Sequence, residues 1–206
     1  MKNKTLVLGL GNTLLGDEGA GVYAVLALQE RHPDLTDVEF LDGGTLSFTL
    51  AGPIEEADSL IVIDATQLKE QPGAVRLFEG EDMDRFLGSH RKSSVHEVSL
   101  MDLMAIARLA EALPARRALI GIQPQYLDWS DAPTEKVARA IPLACDMAMD
   151  LISRWRTGPG DGDRAARSRD PSGDATVREC PPAADNGESA DAEDFRRRRG
   201  SARQRA

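Results

Sequence analysis

The apolar positions fall into two rhythms. Val38–Leu41, with Glu39 inside it, reads as a strand closed by Asp42, and the short unbroken runs Thr5–Leu10, Leu60–Ile63 and Ala118–Ile122 each stop at a glycine, aspartate or glutamine. Runs of that length, closed by turn residues, read as strands buried on both faces. Ala74–Phe78 reads as another, more exposed one. Between them the spacing is helical. Val22, Val25, Leu26 and Leu28 give one face to a helix over Glu18–Arg31, capped by Asp17 and ended near Pro33. Leu46–Ala57 reads as a short helix bent or divided at Pro53. Leu100, Leu103, Met104, Ala107, Ala110 and Leu113 give a face to a helix opened by Ser99, with Asp102 in the capping-box position. A last helix covers Thr134–Trp155, with Val137, Ile141, Ala144, Ala148, Ile152 and Trp155 in line and a kink expected at Pro142. Gly80–His96 is polar and shows no period.

Strands alternating with helices imply an α/β fold: three layers, α/β/α, on a mostly parallel twisted sheet of about five strands with helices on both faces. The 206-residue chain divides by composition. Residues 1–156 carry the pattern and form one domain. Residues 157–206 are rich in Pro, Gly, Ser, Asp and Arg, with few large apolar side chains, and are expected to be a disordered low-complexity tail. The tail holds ten Arg and ten Asp or Glu, so the net charge of −9 resides in the domain. An acidic domain repels nucleic acid and anionic membrane. The start MKNKTLVLGLGN has too short an apolar stretch for a secretory signal, and no segment has the length of a membrane span. Cys145 and Cys180 lack metal-type neighbours. A cytoplasmic protein is expected.

In parallel α/β sheets, ligands meet the carboxyl ends of the strands. The residues just past those ends are Gly11 and Asn12 with Asp17 and Glu18, then Asp42, Asp64 and Gln123; His96, before a helix start, can reach the same rim. Taken singly, each has an ordinary explanation. Asp42 and Asp64 can close buried strands, Glu18 can complement a helix dipole, and a loop histidine can simply pack. Taken together, carboxylates and an imidazole from separate strand–helix junctions make an oxygen–nitrogen donor set. Such a set suits a borderline divalent ion, Zn²⁺ or Ni²⁺, with positions left open. Other chemistries lack their residues. No G-x-S-x-G elbow is present, nor the lysine of a phosphate loop. Leu14 stands where a dinucleotide fingerprint needs its third glycine.

The segment GLGNTLLGDEGAG, from Gly9 to Gly21, resembles the N-terminal signature of the hydrogenase maturation proteases. LDGGT at Leu41–Thr45, VIDA at Val62–Ala65, SVHEVSL at Ser94–Leu100 and GIQP at Gly121–Pro124 resemble that family's later blocks, in its order. The resemblance spans about residues 4–155. It implies an endopeptidase, aspartyl or metal-assisted, that removes a C-terminal peptide from the large-subunit precursor of a nickel–iron hydrogenase once nickel is in place. It carries metal contact over to Glu18, Asp64 and His96, with the nickel brought by the precursor and no organic cofactor. Asp42 and Asp64 are then the candidate catalytic residues, Asp42 as general base or substrate-orienting group.

Two rivals stand beside it. A metal-dependent chaperone could grip the precursor without cutting it, since no nucleophile is evident. LVLGLGN also resembles the opening of peptidyl-tRNA hydrolases, which need an early histidine and a basic groove. Here the first histidine is His32 and the domain is acidic.

Overall fold

A computed structural model describes residues 4–45, 48–89, 95–157 and 177–178. The strands are β1 (Thr5–Leu10), β2 (Val38–Gly44), β3 (Ser59–Ala65), β4 (Val75–Glu79), β5 (Arg116–Ile122) and β6 (Val177–Arg178). The helices are α1 (Ala20–Arg31), α2 (Ala51–Glu55), α3 (Glu81–Ser89), α4 (Val95–Leu109) and α5 (Glu135–Thr157). The sheet order is β2-β1-β3-β5-β4-β6. The first four in that order are parallel; β4 runs antiparallel to β5, and β6 antiparallel to β4.

Side-chain alternation along the strands divides the core in two. Val7, Ile61, Ile63, Ala118, Ile120 and Ile122 face α1 and α5. Leu6, Leu8, Leu10, Leu60, Val62 and Leu119 face α2, α3 and α4. β1 and β3 are covered on both sides, which is why their sequences are continuously apolar.

The structure departs from the sequence reading in several places. The sheet has a sixth strand among the described residues, formed by Val177 and Arg178 of the tail. The remaining tail residues, and with them the expected disorder, lie outside the described residues. Gly80–His96 is not without structure: α3 occupies Glu81–Ser89. It is short and acidic at its first turn, but Met83 and Leu87 are buried and Phe86 packs beside them. An i, i+3, i+4 triplet suffices when a sheet face waits to receive it. α4 begins at Val95, not at Ser99, so His96 lies in its first turn rather than before it. The stretch expected as one helix over Leu46–Ala57 is a 3-10 turn, Phe48–Leu50, followed by α2. Pro53 falls in the first turn of α2, where the missing N–H has no intrahelical partner to lose. Pro142 lies inside α5, which runs through it.

One end of α4 is located by ion pairs. Gly80 N–H donates to Arg117 O, 2.8 Å, which puts the start of α3 beside the amino end of β5. Asp84, in the first turn of α3, accepts from Arg117 and from Arg108 near the end of α4. α4 therefore finishes at the amino ends of the parallel strands, and its first turn, with His96, lies toward their carboxyl ends.

Candidate active site at the carboxyl rim

Two glycines bring the Glu18 turn onto the strand ends. Gly16–Gly19 forms a 3-10 turn that leads into α1. Gly11 has φ +131°, and a Cβ there would stand 1.8 Å from Glu18 O. No other residue type fits that backbone and that contact. A Cβ on Gly21 would stand 2.1 Å from Ile63 O and 2.5 Å from Leu10 O. The start of α1 thus rests directly on the ends of β1 and β3. Asp64 is the next residue after Ile63.

Asp64 is 1 % exposed, and alternation turns it toward the α4 face, with Leu60 and Val62. Glu18 is half-buried. Both carboxyl groups hold an oxygen fully removed from solvent, Oε2 of Glu18 and Oδ1 of Asp64. The fold brings these two acids to one rim and directs the first turn of α4 to the same rim; the side chain of His96 lies outside the described residues. Among the described residues, no group of three His, Cys, Asp or Glu is close enough to hold a metal.

Asp42 stands apart from them. Strand register puts it level with Gly9 and Ile63, on the far side of β1, roughly 10 Å from β3 at two strand spacings. Alternation places it with Val38 and Phe40 on the α1 face, opposite Asp64. It is exposed, and its Oδ1 accepts from Gly44 N–H at 2.8 Å. That bond sets the turn that closes β2.

Asp17 does not cap α1: the position before that helix is Gly19, with no side-chain bond. Asp17 is 0 % exposed and serves another segment. Its Oδ2 accepts from Gln125 N–H (2.8 Å), Tyr126 N–H (2.9 Å) and Thr134 Oγ1–H (3.0 Å), and its Oδ1 from Thr134 N–H (2.6 Å). Four donors satisfy a carboxylate without any cation. Backbone bonds reinforce the junction, with Asp17 N–H to Tyr126 O at 3.1 Å and Ser130 N–H to Leu14 O at 3.1 Å. The loop between β5 and α5 is thereby locked to the turn that carries Glu18. Sequence reasoning took Asp17 for a cap because the donors it serves lie more than a hundred residues away.

Gln123 is also structural. Its Oε1 accepts from Leu68 N–H (2.7 Å), and its Nε2 donates to Gln67 Oε1 (3.1 Å) and Pro124 O (3.2 Å). It ties the loops after β3 and β5 together at the rim.

A family model described as hydrogenase maturation protease matches residues 22–151. The chain is 38 % identical over 154 residues to the hydrogenase expression/formation protein HupD of Bradyrhizobium diazoefficiens, a match covering 74 % of this chain and 80 % of that protein. Its fold superimposes on the hydrogenase maturating endopeptidase HybD from Escherichia coli with a TM-score of 0.70 at 32 % identity, over 75 % of this chain and 94 % of that one. The [NiFe] hydrogenase maturation protease HybD from Thermococcus kodakarensis gives a TM-score of 0.61 at 30 % identity, over 72 % and 98 %.

Proposed function

This chain belongs to the hydrogenase maturation protease family, and on that premise we propose how it selects and cuts its substrate. It is an endopeptidase that removes the C-terminal peptide of the large-subunit precursor of a nickel–iron hydrogenase, and it acts in the cytoplasm. Glu18, Asp64 and His96 read whether nickel has been inserted. The nickel is cargo of the precursor, and the protease contributes donors to its open coordination positions.

The observation that carries this reading is the seating of Gly21 on Ile63 O, which sets the Glu18 turn beside Asp64 on the rim where α4 begins. Two carboxylates and an imidazole fit a borderline divalent ion. An ion held this way polarises a carbonyl or activates water. Asp64, sunk at the end of β3, fixes one donor rigidly. Glu18, half-buried on the turn ahead of α1, supplies the second carboxylate from a neighbouring segment. Asp42 takes the part of a substrate-orienting group, since its carboxylate holds the turn after β2 and faces away from Asp64.

The test is a processing assay on nickel-loaded precursor. Glu18→Gln, Asp64→Asn and His96→Gln are each expected to slow conversion to the mature subunit by about a hundredfold or more. Precursor without nickel is expected to stay uncut by the unsubstituted chain. Normal cleavage by all three variants, or cleavage of nickel-free precursor at the ordinary rate, would remove the proposal.

A further inference from the structure

The loop that Asp17 locks in place carries an exposed apolar ridge beside the candidate site. Trp129 is 75 % exposed, and Tyr126 and Leu127 on the same loop, with Leu14 on the facing segment, are also exposed. The two segments are joined at Leu15 and Ser130 by a parallel bridge, so the four side chains belong to one rigid edge. Exposed aromatic side chains on an ordered loop mark contact sites rather than core.

Charge indicates what covers the ridge. The segments 12–18 and 125–131, which carry it, contain no Lys or Arg but include Asp17, Glu18, Asp128 and Asp131. Asp128 adjoins Trp129 and is fixed by it, its Oδ1 accepting from Trp129 N–H at 2.7 Å. An open indole face beside a held carboxylate suits a guanidinium or ammonium group, through cation–π attraction and an ion pair together.

Resting on the function proposed above, we infer that this ridge docks the large-subunit precursor through an apolar segment bearing arginine or lysine, separate from the bond that is cut. The ridge is continuous with the turn that carries Glu18, so a precursor seated there presents its metal to the rim from one side. Specificity for one precursor then rests on Trp129 and its neighbours, while the chemistry rests on the rim acids.

The experiment uses the full chain and nickel-loaded precursor. Trp129→Ala is expected to raise KM about tenfold, the size of a cation–π contact of roughly 1–2 kcal/mol. Asp128→Asn with Asp131→Asn is expected to flatten the dependence of KM on salt. In Glu18→Gln protein, expected to cut precursor about a hundredfold more slowly, the segment Tyr126–Trp129 is expected to gain hydrogen-exchange protection when precursor is added. Leu109→Ser, an equally exposed apolar site at the other end of the sheet, is the control and leaves KM unchanged.

A KM within twofold of the original for Trp129→Ala, with no change in salt dependence for the paired aspartate variant, overturns the docking inference while leaving the protease reading intact. Absence of both cleavage and binding by the unsubstituted chain overturns both. A third outcome also overturns it. If replacing Arg196–Arg199 by Ala lowers protection of Tyr126–Trp129 with no precursor present, the chain's own basic end is the occupant.

Discussion

At the amino ends of the parallel strands, Asp84 sits between two guanidinium groups, 2.6 Å from Arg117 and 3.1 Å from Arg108. At the carboxyl ends, Asp17 sits among three amide N–H groups and a hydroxyl. The same side chain is stabilised in two ways within one domain. The amino rim repeats the first way: Lys4 lies 2.8 Å from Glu39 and 3.6 Å from Glu56, and Arg156 reaches Asp37 at 2.9 Å. In these pairs each carboxylate meets a cation. Around Asp17 the negative charge is held by neutral dipoles and remains available to the field outside. Under the function proposed above, the metal-bearing substrate arrives at the second rim, where the uncompensated negative charge favours it.

The largest expected effect comes from breaking the carboxyl rim at its buried anion. Asp17→Ala leaves three amide N–H groups and the Thr134 hydroxyl without their acceptor. It is expected to cost about 4 kcal/mol, since each stranded donor forfeits roughly 1–3 kcal/mol and water entering the gap returns part of it. Scanning calorimetry should show the melting temperature falling by about 10 °C for a domain of this size. Asp17→Asn keeps one acceptor oxygen and is expected to lose about half as much. Equal melting temperatures for the original and the Ala variant would mean the loop is held by its backbone bonds alone.

Gly21→Ala tests the seating rather than the anion. The added methyl meets two backbone carbonyls that cannot swing aside, so α1 must lift off the ends of β1 and β3. About 2–3 kcal/mol of stability is expected to go, in line with overpacking elsewhere. Processing should fall further than the folded fraction does, because the same displacement parts the Glu18 turn from Asp64. Unfolding in urea and precursor conversion, measured on one preparation, separate the two losses.

These two residues also show what was legible beforehand. β1, β3 and β5 were readable because burial on both faces leaves a plain apolar run. Alternation with helices then gave the layers, and the strand-end rule gave the rim. Glu18 and Asp64 followed, since they stand at those ends. Three features did not follow. α3 was passed over because its nine residues are mostly polar and its buried face is only Met83 and Leu87 with Phe86 alongside. Asp17 was misread because a carboxylate ahead of a helix looks like a cap, and a bond to Thr134 leaves no local trace. Asp42 was grouped with Asp64 because both follow apolar runs. A strand's two faces differ by one residue in register, and two residues on different strands cannot be assigned to a common face without coordinates.

The smallest expected effect sharpens the other side of the comparison. Asp84 has its pKa lowered from the ordinary carboxylate value, first by the hydrogen bond from Arg117, then by the charges of Arg117 and Arg108, against an opposing effect of burial. A carboxyl group with a lowered folded pKa adds stability above its unfolded pKa, about 3.9, and loses that stability as pH falls through the lower folded value. Asp84→Asn is therefore expected to cost about 1.5 kcal/mol at neutral pH, less than a buried pair because Arg108 is mostly exposed and screened. Below about pH 4 the difference between the two proteins should shrink, and by the end of acid unfolding it should be gone. Added salt should shrink it at neutral pH as well, while the loss caused by Asp17→Ala, which involves no cation, should hardly respond. Urea unfolding at pH 7 and pH 3, each at low and high ionic strength, checks both statements. A salt response as large at Asp17 as at Asp84 would mean that the two rims are held by the same kind of interaction after all.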